Sequence, residues 1–383
     1  MSYQAFEAAL DAAIADGRVA GAVALVTDRE AVTYSHAAGF RSIGGAEPMT
    51  PDSVFWVASM TKAIASLAAL QLVERGKLSL DGDLGEVVPD LKDLQVLDAA
   101  GPNGVWTTRP AKGPVTLRQL LTHTSGFGYG WIDGRIEAWA QTQAPEVRAF
   151  GTRASHRVPL LFDPGEGWAY GIGIDWVGLV VEAASGQRLD AYLAEHIFGP
   201  LGMVDTAFAM SPAQAERKAG VHARLPDGGL APIEFGMPLD PEVLSGGGGL
   251  HSTAQDYGRF LRALLNGGGG LVSRETMAEA SAVQTGAHRA GTWAGAAANF
   301  SRDVDFYPDM RTGWGLATMI TPEATAEGRS AGSLAWAGLA NTYYWADPAA
   351  GTAGLILTQV LPFADPEVLE LFAALERSAY GKT

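Results

Sequence analysis

The chain has 383 residues, no cysteine, and 42 acidic against 27 basic residues, for a formal charge of −15. Without thiols, disulfides, thiolate metal sites, Fe–S clusters and cysteine nucleophiles are excluded. The acidity sets the chain against phosphate backbones and anionic lipid, so neither nucleic acid nor a membrane surface is an expected partner.

At about 150 residues per domain, the length suits one large or two modest domains. Near the start, Glu7, Asp11 and Asp16 stand where a signal peptide would place basic and then apolar residues. No uncharged apolar run reaches the roughly 18 residues of a membrane span, and the expected location is the cytoplasm. Phe6, Leu10 and Ile14 lie at spacings of four, which predicts an amphipathic helix over 3–16. GAVALVT and AVTYSHAAGF flank Asp28-Arg29-Glu30 and read as two strands joined by a turn. Apolar helical patterns follow at 57–75, 116–122, 175–197 and 254–265, separated by the Gly- and Pro-rich loops GPNGV, FDPGEG, LSGGGGL and LNGGGG. Thr253 stands three residues ahead of Asp256, a helix-start pattern, so the glycine run before it feeds a helix. Residues 281–310 carry no clear pattern. NTYYWA (341–346) and GLILTQV (354–360) form a second hairpin, and Asp365 to Tyr380, with Leu369, Phe372 and Leu375 on one face, a closing helix. Strand-rich ends around a helix-rich middle predict one antiparallel sheet built from both ends, with the middle inserted as a second lobe.

The seven histidines, His36, His123, His156, His196, His222, His251 and His288, show none of the HExxH, HxH or HxxxH pairings of metal sites. No Ser has Gly at both −2 and +2, and neither GxGxxG after a strand nor GxxxxGK[ST] occurs. What remains is Ser59-Met60-Thr61-Lys62 in VFWVASMTKAIASLAALQLVERG. Residues 54–73 read as a helix apolar on nearly every side, with Lys62 its only charge before Glu74. Such a helix is buried, and burial lowers a lysine pKa. Residues i and i+3 share a helix face, so the amine reaches the Ser59 hydroxyl and activates it as a nucleophile. The plainer alternative is that Lys62 snorkels from a half-exposed helix and Ser59 merely caps it.

The stretch resembles the SxxK motif of the serine β-lactamases and penicillin-binding proteins. LLTHTSGFG (120–128), the segment 162–203 with Tyr170 after a Pro-Gly turn, GGGGLHSTAQDYGRF (246–260) and WAGLANTYYWADP (336–348) are similar, in the same order, to segments of the family VIII carboxylesterases, the esterase branch of the class C β-lactamase group. The resemblance spans nearly the whole chain. It implies an α+β fold of the β-lactamase/penicillin-binding-protein type, an antiparallel sheet flanked by helices plus an inserted helical lobe. The sheet domain would take 1–80 and 205–383, and the smaller, mainly helical domain 81–204.

The resemblance further implies Ser59 as the acylated nucleophile, Lys62 as the partner that takes its proton, and Tyr170 as the phenol shared between them. A phenol titrates near 10, so a base role for Tyr170 needs a cation such as Lys62 to lower it. The backbone N–H groups of Ser59 and Leu339 would form the oxyanion hole. Trp336 and Gly338, together with Phe127, Tyr129 and Trp314, are expected to line an apolar substrate pocket, with Trp131 beside them. His123 is expected to bond backbone near a turn. No cofactor or metal is implied. Class C lactamases carry Asn two residues after the catalytic Tyr, where this chain has Ile172, and a cation where it has Trp336. Both departures weaken recognition of a penicillin-type amide and carboxylate. Ala337 and Asn341 stand where Gly is usual. The expected activity is hydrolysis of short-chain or small aromatic esters through an acyl-enzyme, with β-lactams at most weak substrates. The alternatives are a β-lactamase or D-amino-acid peptidase using the same site, an acyltransferase, or a non-catalytic acyl- or peptidoglycan-sensing module.

Overall fold

The computed structural model describes residues 2–100, 105–238 and 240–382, apart from the side chain of Ala99; four residues of the expected GPNGV loop lie outside it. Its centre is a seven-stranded antiparallel sheet of β1 (Gly21–Thr27), β2 (Val32–Gly39), β3 (Gly313–Trp314), β4 (Met319–Thr321), β5 (Ser333–Gly338), β6 (Thr342–Asp347) and β7 (Thr352–Leu357). The spatial order is β3-β4-β5-β6-β7-β1-β2, so strands from the two ends of the chain meet at the β7–β1 pair. The β1–β2 turn forms where the Asp28 carboxylate accepts from the amides of Glu30 and Ala31.

Helices cover both faces. On one, α1 (Gln4–Ala15) packs against the terminal helix, Pro366–Ala379. Phe372 of that helix meets Tyr343 and Trp345, the outward residues of β6 on this face. On the other, the helix Ala254–Leu265 brings Tyr257 against Tyr344 and Gly258 against Leu25. With both faces covered, all seven residues of β1 are buried, which is why that strand reads as a continuous apolar run. Thr253 caps the helix Ala254–Leu265 through the Asp256 amide, as its spacing predicts.

Two expected helices differ in outline. The segment expected as a helix over 54–73 begins with a short strand, Phe55–Trp56, and a 3₁₀ turn, Ala58–Met60. The helix proper, α2, runs Thr61–Glu74. Pairing of Phe55–Trp56 with His251–Ser252 takes the first residues away from the helix, a tertiary preference that apolarity alone does not reveal. The 175–197 pattern divides into α3 (Gly173–Ser185) and a second stretch that starts at Leu189. Gly186, at φ +74, caps α3 in the left-handed conformation and breaks the run. The unassigned 281–310 region holds only the two-residue strands Thr292–Trp293 and Val304–Asp305. Among the described residues no helix is long and apolar enough to cross a membrane.

Candidate active site

The turn that presents Ser59 is strained and clamped. Ala58 adopts φ +44, a left-handed conformation that costs a side-chain-bearing residue about 1–3 kcal/mol. Contacts on both sides hold it. The Val57 amide donates to the Leu250 carbonyl at 3.0 Å, and the Tyr257 hydroxyl donates to the Met60 carbonyl at 3.0 Å. The end of β5 presses on the same turn so closely that a Cβ on Gly338 would lie 2.3 Å from the Val57 carbonyl oxygen. Only glycine permits that approach, and it sets Leu339, the next residue, beside Ser59 on one cleft.

From the first turn of α2, Lys62 reaches back to Ser59. Its Nζ lies 3.1 Å from Ser59 Oγ, 3.0 Å from the Tyr129 hydroxyl and 2.6 Å from the Gly247 carbonyl. The side chain is fully buried. Burial brings its pKa down to about 8, against a smaller upward pull from Asp175. The snorkelling alternative is thereby removed, since the amine is nowhere near bulk water.

Tyr170 is placed by a glycine on its other side. A Cβ on Gly171 would come within 2.2 Å of the Phe127 carbonyl, so the chain after Tyr170 lies flush on the 120–128 segment. The Lys62 amine sits 4.8 Å from the centroid of the Tyr170 ring, over its face. The phenol faces Ser59 and accepts from Trp336 Nε1 at 2.9 Å. Burial drives its pKa up, with hydrogen bonds to Ser59 and Trp336 only partly offsetting it. The condition for a base role, a cation that lowers the phenol, is therefore not met: the amine lies over the ring and burial raises the phenol.

The remaining expected pocket residues separate into two groups. Tyr129 borders the cleft, but its hydroxyl belongs to the lysine network, accepting from Lys62 and donating to Asp175 Oδ2 at 3.2 Å. Trp336 and Gly338 edge a narrow recess beside Ser59. Phe127 and Trp314 do not reach the cleft wall. Phe127 packs on Trp176, and Trp314 is fully buried behind Tyr170 and Trp336. Both serve the core, as aromatic residues beside a site commonly do. His123 also departs from expectation. Neither ring nitrogen bonds backbone or any other partner among the described residues, and the ring packs on Tyr170 and Trp314. Burial, then the charge of Lys62, holds its pKa well below the usual histidine range, so it stays neutral.

Sequence reasoning passed over Asp175, Ser245, Gly247 and Trp293. The Asp175 carboxylate is buried and accepts from the Ser245 hydroxyl and, at 3.1 Å, the Gly247 amide. A Cβ on Gly247 would stand 2.3 Å from that carboxylate, which accounts for a glycine in this position of the LSGGGG run. The signal for Asp175 was present: it is an acid inside the apolar run GIDWVGLVV, the same anomaly that singles out Lys62. Trp293 stacks on Tyr170 at 5.3 Å and lies in the region without a pattern.

The cleft beyond Ser59 has a volume of about 550 Å³. Trp131, Ile172, Phe150, Phe235, Met237 and Leu339 give it apolar walls. Ile172, two residues after Tyr170, presents hydrocarbon there. Asn341 also has a clear local role. At φ +57 it makes the β5–β6 turn, and its side chain donates to the carbonyls of Val360 and Pro362, both at 2.8 Å.

The Beta-lactamase family model matches residues 6–377. The lovastatin esterase of Penicillium rubens is 33% identical over 98% of this chain and 97% of its own length. The acyltransferase calJ of Penicillium decumbens is 32% identical over 91% and 86%. Among solved structures, unliganded simvastatin synthase (LovD) from Aspergillus terreus superposes with a TM-score of 0.83 at 29% identity, over 98% of this chain and 97% of that one.

Proposed function

The chain belongs to the Beta-lactamase family, and from that premise we propose that it is a serine hydrolase acting on short-chain or small aromatic carboxylic esters through an acyl-enzyme on Ser59. The observation that carries this reading is the dry amine of Lys62, 3.1 Å from Ser59 Oγ, with a pKa of about 8. An amine in that state takes the hydroxyl proton as Oγ attacks the ester carbonyl. The backbone N–H groups of Ser59 and Leu339 receive the oxyanion, where one such donor is worth about 3 kcal/mol. The same proton then passes to the leaving alcohol. With its pKa raised, Tyr170 acts as a neutral phenol that relays this proton, and Lys62 is the base. Water repeats the sequence on the acyl-enzyme, losing its proton to Lys62 as it releases the acid and restores Ser59.

On this reading the cleft lies between a sheet domain of 1–80 and 205–383 and a helical lobe of 81–204. Ester specificity follows from Ile172 and Trp336, which offer neither an amide partner nor a cation for a substrate carboxylate. Ser59→Ala is expected to abolish hydrolysis of p-nitrophenyl butyrate, and a fluorophosphonate to add one adduct, on Ser59, by intact mass. Wild-type turnover in Ser59→Ala would overturn the assignment. Nitrocefin hydrolysed at a kcat/KM comparable to the ester would transfer it to a β-lactamase.

Acyl transfer is a second reading, favoured by relatives named acyltransferases and by a cleft of about 550 Å³, larger than a short ester fills. An alcohol added to the ester assay should then yield a new ester at the expense of free acid.

A further inference from the structure

A second cavity, of about 410 Å³, lies on the opposite side of β5 from Ser59. Side chains alternate across a strand. Trp336 and Gly338 face the catalytic turn, while Ala335 and Ala337 face this cavity, their small side chains leaving its space open. Tyr343, Phe372 and Tyr307 supply aromatic walls.

The cavity also holds a buried ion pair that is incompletely bonded. Arg329 and Glu376 are 2% and 3% exposed at their side chains, with Nε 2.9 Å from Oε1. The geometry is not that of a hydrogen bond, and Arg329 Nε and Nη1 and Glu376 Oε1 have no hydrogen-bond partner among the described residues. Charged groups removed from water are normally fully bonded, and these two both line the empty space. Arg329 lies over the Tyr307 ring, 5.4 Å from its centroid, and both residues line the cavity. Of the other acids lining the cavity, Asp305 is paired with Arg289 and Glu370 with Arg377, and Asp303 accepts from the Gly295 amide. For Glu327 no ion pair is recorded among the described residues. Its charge faces Glu376 and, after burial itself, helps hold that carboxyl up at about 7.

We infer that this cavity is a second ligand site, for a small zwitterion with an apolar body, of the chemistry of an aromatic or aliphatic amino acid. The carboxylate takes the guanidinium edge of Arg329, the ammonium settles between Glu376 and Glu327, and the side chain fills the space against Ala335, Ala337 and Phe372. An anion alone meets the surrounding acids, and a cation alone leaves the arginine edge unbonded, so both charges are required. The site does not depend on the reaction assigned to Ser59.

The test is titration calorimetry on the whole protein with phenylalanine, phenethylamine and 3-phenylpropionate. Phenylalanine is expected to bind one per chain, at least tenfold more tightly than either singly charged analogue. Arg329→Met and Glu376→Gln should each weaken it more than tenfold. Because either change could unfold the protein, Ala373→Phe, which places a ring in the cavity from the terminal helix and keeps both charged side chains, should abolish binding while the melting temperature without ligand is retained. Absence of saturable phenylalanine binding, equal affinity for one of the analogues, or binding undiminished in Ala373→Phe would overturn the inference.

Discussion

Two buried cations of this protein are held in opposite ways. Arg224, 7% exposed at its side chain, makes a two-point pair with Asp365 at 2.8 and 2.7 Å and donates further to the carbonyls of Arg18 and Gly228. Lys62 has a carboxylate nearby, but the Tyr129 hydroxyl stands between it and Asp175. The first arrangement bonds both charged groups at two points and ties the strand Val221–Arg224 to the start of the terminal helix. The second leaves the cation only partly compensated, and its pKa falls to about 8. The two-point pair bonds its cation fully; the phenol between Lys62 and Asp175 leaves the lysine able to titrate. A catalytic base requires the latter.

Lys62→Met should break this contrast most sharply. Turnover is expected to fall by about 10³-fold or more, while stability at neutral pH rises, because a lowered lysine pKa is a cost to the folded state. That cost is fully present below about pH 8, where both folded and unfolded chains carry the proton. It disappears as pH rises toward 10.5, so the advantage of the methionine, on the order of 3 kcal/mol from the shift, should fade over that interval in denaturant melts. Asp365→Ala is the counterpart. It strands a buried guanidinium and should cost about 3–5 kcal/mol of stability, while the pH profile of ester turnover in the surviving folded protein stays unchanged.

Smaller effects sharpen the comparison. Trp336→Phe removes the indole donor to the Tyr170 oxygen and should lower kcat about tenfold, one hydrogen bond's worth, with KM little altered. Asp175→Asn removes the charge that holds the Lys62 pKa up. The rising limb of kcat/KM against pH, expected near 8 in the wild type, should move down by about one unit. An upward shift would show that Asp175 acts on something other than the lysine.

The helices at both ends, both hairpins and the helix beginning at Ala254 were legible in the sequence because each carries its own period and its own cap or turn. Ser59 and Lys62 were legible for a different reason: a lone charge in an apolar run demands a partner. The same test applied to GIDWVGLVV would have found Asp175. Trp293 was beyond reach, since its stretch has two-residue strands and no period. Phe127 and Trp314 were misplaced because an aromatic beside a motif has the same composition whether it faces the cleft or the core. Only packing separates the two.

From the order of residues alone came the α+β architecture, the meeting of both chain ends in one sheet, and the spacing that lets an amine reach a hydroxyl. Local periodicity and the cost of burying charge decide such features within a few turns of chain. The tertiary structure decided which way the amine's environment tilts. Desolvation by α3 and the glycine loop, the intervening Tyr129 hydroxyl and the buried Tyr170 phenol come from segments far apart in sequence. A pKa is set by everything within a few ångströms, and no stretch of chain carries that neighbourhood by itself.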